Sequence, residues 1–163
     1  MKQEKGVTLV TLVITVILLV ILAGITVYSG ADVIKRANLE SMRTNMLLIQ
    51  AKAKEYVEEA DFKMGPNPTN EKKGEVMSNV CDEAGLKSAY DEGITTINGN
   101  DTRGYYLVTE EAFSNMGLNK IKEELKDGEA YLLKFDIDNL NVEVYNTIGY
   151  EGKYSLTDLE EIQ

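Results

Sequence analysis

The chain contains no histidine, a single cysteine and two prolines among its 163 residues. Without histidine, imidazole acid–base catalysis and every His-containing metal site are excluded. Cys81 alone can form neither an intramolecular disulfide nor a thiolate zinc cluster. Basic residues are also scarce: 17 Lys and Arg stand against 27 Asp and Glu, a net charge of −10. General nucleic-acid binding rests on neutralising phosphates, so no nucleic-acid partner is expected. One stretch lacks charge altogether. Residues 7–31 are 25 consecutive positions with neither a charge nor a proline. What remains is an acidic chain of about single-domain length behind a strongly apolar segment.

The apolar segment begins MKQEKGVTLVTLVITVILLVILAGITVYSGA. Its residues 7–28, as a helix, extend about 33 Å, enough to cross a hydrocarbon core of roughly 30 Å. Tyr28 falls where an interfacial aromatic sits, and Lys35 and Arg36 follow. A membrane is therefore the first expected partner. Three readings compete for the segment. A secretory signal peptide would use Lys2 and Lys5 as its charged region and Ser29-Gly30-Ala31 as its cleavage site. The apolar run is longer than the 7–15 residues such a core requires. A permanent single-span anchor is the second reading. The third depends on what precedes the run.

Lys5-Gly6-Val7-Thr8-Leu9-Val10 places a basic residue and a glycine directly before the apolar helix. This arrangement resembles the class III signal of type IV pilins and of type II secretion pseudopilins. The resemblance implies cleavage between Gly6 and Val7 by a prepilin peptidase at the cytoplasmic face, and N-methylation of Val7. It also implies that the apolar helix stays in the mature chain, with Thr8, Leu9, Val10 and Thr11 taking part in assembly. Glycine at the boundary keeps the scissile backbone open and easily unwound, while Lys2 and Lys5 hold the leader on the cytoplasmic side.

The match has one departure. The family places a glutamate at the fifth position of the mature chain, where this sequence has Thr11. In pilins that carboxylate is thought to neutralise a neighbouring subunit's terminal ammonium, and at this depth it is costly without a partner. The Thr11 hydroxyl avoids the cost by bonding back to a helix carbonyl. Its presence points either to a minor or initiating subunit or to a lineage that assembles without the ion pair.

Beyond the segment, Leu39, Met42, Met46, Ile49, Ala53, Tyr56 and Ala60 recur at spacings of three and four, the apolar stripe of an amphipathic helix. Interruption of the heptads near Lys35 argues against a long coiled coil. With only Gly24 and Gly30 as weak points, residues 7–60 are expected to form one helix. The predicted organisation is a leader at 1–6, a transmembrane or filament-core helix at 7–30, an amphipathic helix at 31–60 that packs on the domain, and an extracytoplasmic domain at 61–163.

Within that domain, Gly65 to Asn70 reads as a loop, and Val76, Met77, Val80, Cys81 and Ala84 as a helix stopped by Gly85. Residues 94–97 read as a strand entering a turn at 98–101, and residues 105–108 as a second strand. Thr109 is placed to cap a helix closed by Gly117, and Asn119 to cap another at 120–126. Tyr131, Leu133, Phe135 and Ile137 alternate, as do Leu140, Val142 and Val144 beyond an Asp138-Asn139 turn, which predicts a hairpin. Residues 146–154 read as turn-rich, and 155–162 as a short capped helix or ordered tail. The expected fold class is α+β, a long N-terminal helix packed on a small antiparallel sheet, which agrees with the pilin resemblance.

Acidic clusters are the only candidates for chemistry. Asp136, Asp138 and Asn139, and separately Asn98, Asn100 and Asp101, offer hard oxygen ligands. Some secretion pseudopilins bind calcium, so a calcium ion near Asp136 and Asp138 is the one cofactor considered. Neither cluster has calcium-loop spacing, and turns favour Asp and Asn for backbone reasons. No catalytic, cofactor-binding or metal residue is assigned, and no enzymatic activity is expected.

The expected function is a structural subunit of a type IV pilus-like or type II secretion pseudopilus-like filament. Its partners would be the membrane, the prepilin peptidase and other pilin-like subunits. It would be a single-pass membrane protein, its short N-terminus cytoplasmic and its C-terminal domain extracytoplasmic or on a cell-surface filament. The competing reading is an anchored extracellular binding domain that does not polymerise; a third is a soluble protein released after Ala31.

Overall fold

The computed structural model describes residues 4–162, with side chains described for 12–20 and from 32 onward. The chain divides into two units, Met1–Glu40 and Ser41–Gln163. One helix, α1 (Glu4–Met64, 61 residues), contributes to both. The division falls inside the segment that the periodicity assigned to a single amphipathic helix.

In the second unit, α1 is followed by α2 (Asn70–Glu83), β1 (Leu86–Ser88), β2 (Thr96–Ile97), β3 (Asn100–Asp101) and β4 (Tyr105–Val108). Then come α3 (Glu110–Asn115), α4 (Asn119–Glu123), β5 (Tyr131–Asp136), β6 (Asn141–Tyr150), β7 (Lys153–Ser155) and α5 (Leu156–Glu160). Five strands form an antiparallel sheet in the order β1-β4-β5-β6-β7, and β2-β3 is a separate hairpin. The architecture is α+β.

Pairing register sorts the sheet residues into two faces, because side chains alternate along each strand. Leu133 opposes both Tyr106 and Val144, so those three share a face with Tyr131, Val108 and Val142. Helices cover this face. Tyr106 hydrogen-bonds with Ser78 and Cys81 of α2, and Tyr131 with Asn45 of α1. Gln50 Nε2 of α1 also donates to the Val142 carbonyl at 2.8 Å. Met46, Ile49, Ala53, Val57, Ala60 and Met64 are buried along α1, at spacings of three and four. The predicted stripe is therefore right in period but slightly rotated: Val57 is buried, while Tyr56 and Met42 are half-buried. The opposite face carries a smaller cluster of Ala89, Ile97, Tyr105 and Leu132, with Tyr145 and Tyr154 against it.

Local signals place most of the ends. Thr69, Thr109 and Ser155 each accept a hydrogen bond from a backbone N–H of the first turn of α2, α3 and α5. Gly85, just past the C-cap of α2, has φ +78° and a close neighbour: a Cβ there would lie 2.8 Å from Glu111 Cγ and 3.1 Å from the Ala112 nitrogen. Only glycine satisfies both demands.

Several expectations are corrected. Helix α1 continues past residue 60 to Met64. Asn119 does not cap α4; it is the first helical residue, and Leu118 at the cap position supplies no side-chain bond. Asn100 and Asp101 are a strand, not part of a turn, because the two-residue loop Asn98-Gly99, with φ +49° and +73°, closes the hairpin. The β5–β6 turn is longer than Asp138-Asn139. Asp136 pairs with Asn141, which leaves residues 137–140 in the loop and Leu140 exposed at φ +49°. The turn-rich reading of 146–154 is overturned. Strand β6 runs on to Tyr150 and turns through Glu151-Gly152 into β7. Between Tyr145 and Tyr150 the register slips, and the Asn146 side chain accepts hydrogen bonds from the Ile148 and Gly149 N–H groups. The asparagine and glycines that signalled turns build a bulge instead. Strand β1 was not anticipated.

Arg43 of α1 ties down the C-terminal helix. Its Nε donates to the Leu159 carbonyl at 2.9 Å, and its Nη2 donates to the Leu159 and Ile162 carbonyls. These carbonyls lie at and just beyond the C-terminal end of α5, where the Leu159 carbonyl also accepts from the Ile162 N–H at 3.2 Å. Arg43→Ala is expected to cost about 2 kcal/mol, the range for hydrogen bonds to a charged group. Faster amide exchange in residues 156–162, with β5 protected as before, would be its signature; unchanged exchange there would refute the clamp.

Candidate functional site

The described apolar part of α1, residues 12–20, is helical throughout, and each of its side chains is exposed. The eight large aliphatics there (Leu12, Val13, Ile14, Val16, Ile17, Leu18, Leu19 and Val20) are 49–67% exposed. They lie on every side of the helix, so no face is set aside for water. The one polar side chain among them, Thr15, is satisfied locally: its hydroxyl donates to the Leu12 carbonyl at 2.8 Å. Restoring half-exposed aliphatics of this size to an apolar setting is worth roughly 1 kcal/mol each, so of order 8 kcal/mol for the eight. That rivals the whole stability of a domain.

The predicted processing and assembly residues Lys5, Gly6, Val7, Thr8, Leu9, Val10 and Thr11 belong to α1 by backbone, and their side chains lie outside the described residues. The same holds for Ala23, Gly24, Tyr28 and Gly30. Among the described residues, no helix is long and apolar enough to cross a membrane. The predicted span at 7–28 extends at both ends beyond 12–20, the part of it whose side chains are described. Lys35 and Arg36 are exposed.

The sequence reading missed a second set of exposed apolar side chains on α1. Val33 and Ile34 are exposed in the first unit; Leu47, Leu48 and Phe62 in the second, Phe62 at 88%. Their signal was available. A helix with apolar residues on the side opposite its buried stripe carries more than packing on its own domain requires.

The carboxylates considered for calcium are brought near one another by the β5–β6 loop, but each has another partner. The Asp136 carboxylate accepts from the Asn139 N–H at 3.1 Å and the Asn139 amide at 2.7 Å, which lowers its pKa from the ordinary carboxylate value. Asp138 pairs with Lys73. In the other cluster, Asp101 of β3 accepts from the Arg103 N–H at 2.8 Å. Among the described residues, no three His, Cys, Asp or Glu side chains gather as a metal-binding group. A depression of about 750 Å³ over the outer sheet face includes Lys134, Asp136, Glu143 and Tyr145. Glu143 accepts there from the Thr157 N–H and hydroxyl.

The lowered Asp136 pKa gives a testable sign. A carboxylate depressed in the folded state contributes stability above its unfolded pKa of about 3.9, and loses it as pH falls through the folded value. Wild type should therefore lose more stability than Asp136→Asn between about pH 6 and pH 2.5. Urea midpoints at both pH values test this; parallel losses would show that the turn bonds carry no linkage.

Cys81 is buried in α2 beside the Tyr106 hydroxyl, and burial above all pushes its thiol pKa up. Tyr106 is raised to about 12, again chiefly by burial. A thiol held protonated is a packing residue, not a nucleophile. Comparison of the chain with protein-family models, with curated proteins and with solved structures returns no match.

Proposed function

We propose that this chain is a pilin-like structural subunit, of the kind that builds type IV pili or type II secretion pseudopili. It is processed between Gly6 and Val7 and anchored, then assembled, through the apolar part of α1. The observation that carries this reading is the exposed aliphatic surface on every side of residues 12–20, on the helix whose residues 41–64 pack in an α+β domain. A surface worth of order 8 kcal/mol in burial needs an apolar setting, either bilayer or neighbouring helices. An anchored subunit uses the first and a filament the second.

Processing would remove Lys2, Glu4 and Lys5, leaving 15 basic against 26 acidic side chains and a net charge of −11. Such charge keeps the domains soluble and mutually repulsive until the helices hold them together. Thr11 in place of the family's glutamate means that this assembly runs without the usual ion pair to a neighbour's N-terminus.

Intact mass and N-terminal sequencing of the protein from native membranes test the proposal. A methylated Val7 start is the expected result. An intact Met1 would identify a plain anchor, and a start at Asp32 a released soluble protein; either overturns the reading.

A further inference from the structure

Asn98-Gly99 is the only Asn-Gly pair among the 12 asparagines of the chain. It forms the two-residue loop of the β2–β3 hairpin, with both residues at positive φ and both exposed. A Cβ on Gly99 would meet nothing within 4 Å, so no neighbour packs against that side of the turn. Among the described residues, nothing accepts a hydrogen bond from the Gly99 N–H. The hairpin itself is slight: two residues pair with two, apart from the main sheet. So short a ribbon is marginal alone and opens locally at little cost. Two ties hold it: Ile97, buried against Ala89, Tyr105 and Leu132, and the buried Thr102, whose N–H and hydroxyl donate to the Thr95 and Ile94 carbonyls at its base.

We infer that Asn98 is a site of spontaneous, self-limited chemical modification, the backbone of Gly99 being the nucleophile and water the co-reactant. When the hairpin opens, the Gly99 nitrogen attacks Asn98 Cγ and loses its proton. The new C–N bond closes a succinimide, and the side-chain nitrogen leaves as ammonia. Water then opens the ring at either carbonyl, giving aspartate or isoaspartate. No oxidant, metal or enzyme enters the balance. Glycine favours the step because it has no side chain to hinder approach and moves freely between backbone regions. The product adds one negative charge. In its iso form it also places an extra methylene in the main chain, which the two-residue turn cannot hold.

The consequence is an irreversible ageing mark on one tip of the domain. It loosens Ile97 from the outer cluster while leaving the helix-covered face intact. This inference rests on the hairpin geometry alone and stands or falls independently of filament assembly.

The test is to incubate the full chain in mildly alkaline buffer and follow it by anion exchange and peptide mapping. The expected result is a more acidic species whose changed residue is Asn98, part of it isoaspartate. Asn98→Gly, which keeps a residue tolerant of positive φ, should abolish that species. Ile97→Ala, which removes one of the hairpin's two ties, should speed its formation roughly tenfold or more. Conversion elsewhere with Asn98 unchanged, or an undiminished acidic species in Asn98→Gly, would overturn the assignment. A rate unaffected by Ile97→Ala would overturn the gating by hairpin opening.

Discussion

Replacing Gly6 with isoleucine is expected to abolish N-terminal processing completely. The variant should accumulate with Met1, Lys2 and Lys5 still attached, and no filament should form from it. Gly6 stands between Lys5 and the start of the uncharged run, and under the proposed processing a peptidase would have to engage its backbone in extended form. Glycine yields that conformation at small cost, whereas a β-branched side chain both resists it and crowds the scissile bond. Helix propensity points the same way, since isoleucine strengthens the helix that has to unwind. The contrast with Lys5→Ala separates two contributions. Loss of one leader charge weakens orientation without blocking the bond, so processing should slow but persist. Mass spectrometry of the membrane fraction reads both variants. Normal processing of Gly6→Ile would remove the class III assignment and leave the helix as a plain anchor.

The second large effect lies in the domain core, at Tyr131. This residue is buried on the helix-covered face, with its ring 6.3 Å from Phe113 in an edge-on contact. Its hydroxyl shares hydrogen bonds with Asn45 and Asn146, and the Asn146 amide donates onward to Glu129 at 2.7 Å. One side chain thus joins α1, the β6 bulge and the loop before β5. Tyr131→Ala should cost about 3–5 kcal/mol, as expected for an aromatic lost from a packed core, a large share of a domain's 5–15 kcal/mol. Tyr131→Phe keeps the ring but strips the buried Asn146 and the half-buried Asn45 of a partner, at about 1–3 kcal/mol. Urea unfolding with the slope held constant measures both. Equal losses would mean that the network dominates, and a negligible Phe effect that ring packing alone matters. The phenol pKa is raised, chiefly by burial. Its contribution is therefore complete below the unfolded value of about 10 and declines as pH rises through the folded value. Tyr131→Phe should show a shallower alkaline loss than wild type.

Position along the chain decided which elements were legible beforehand. The β5 alternation of Tyr131, Leu133 and Phe135 is long enough to reveal a two-residue period, and the caps Thr69, Thr109 and Ser155 act within one turn of helix. Strand β1 is three residues long, too short to express a period, and exists because Leu86, Lys87 and Ser88 find β4 alongside. The β6–β7 region misled for a different reason. Asn146, Gly149 and Gly152 carry the same backbone preferences in a bulge as in a loop, and only pairing with β7 tells the two apart. At the calcium candidates the residue types were right for oxygen ligation, yet Asn139 and Lys73 engage the carboxylates. Lys73 lies 65 residues from Asp138, and no local pattern anticipates that pairing.

By itself, the sequence determined the features that depend on near neighbours: the uncharged 25-residue run, the glycine boundary before it, the helical stripe and the caps. Each follows from interactions within a turn or two of chain, which residue order encodes directly. The opening scarcity of histidine, cysteine and basic charge likewise set its limits without any fold. Tertiary structure decided where the stripe on α1 points, which sheet face the helices cover, and that residues 12–20 are left uncovered while the stripe of Met46, Ile49, Ala53, Val57, Ala60 and Met64 is buried. These depend on partners tens of residues away, whose contacts exist only once the chain has closed on itself.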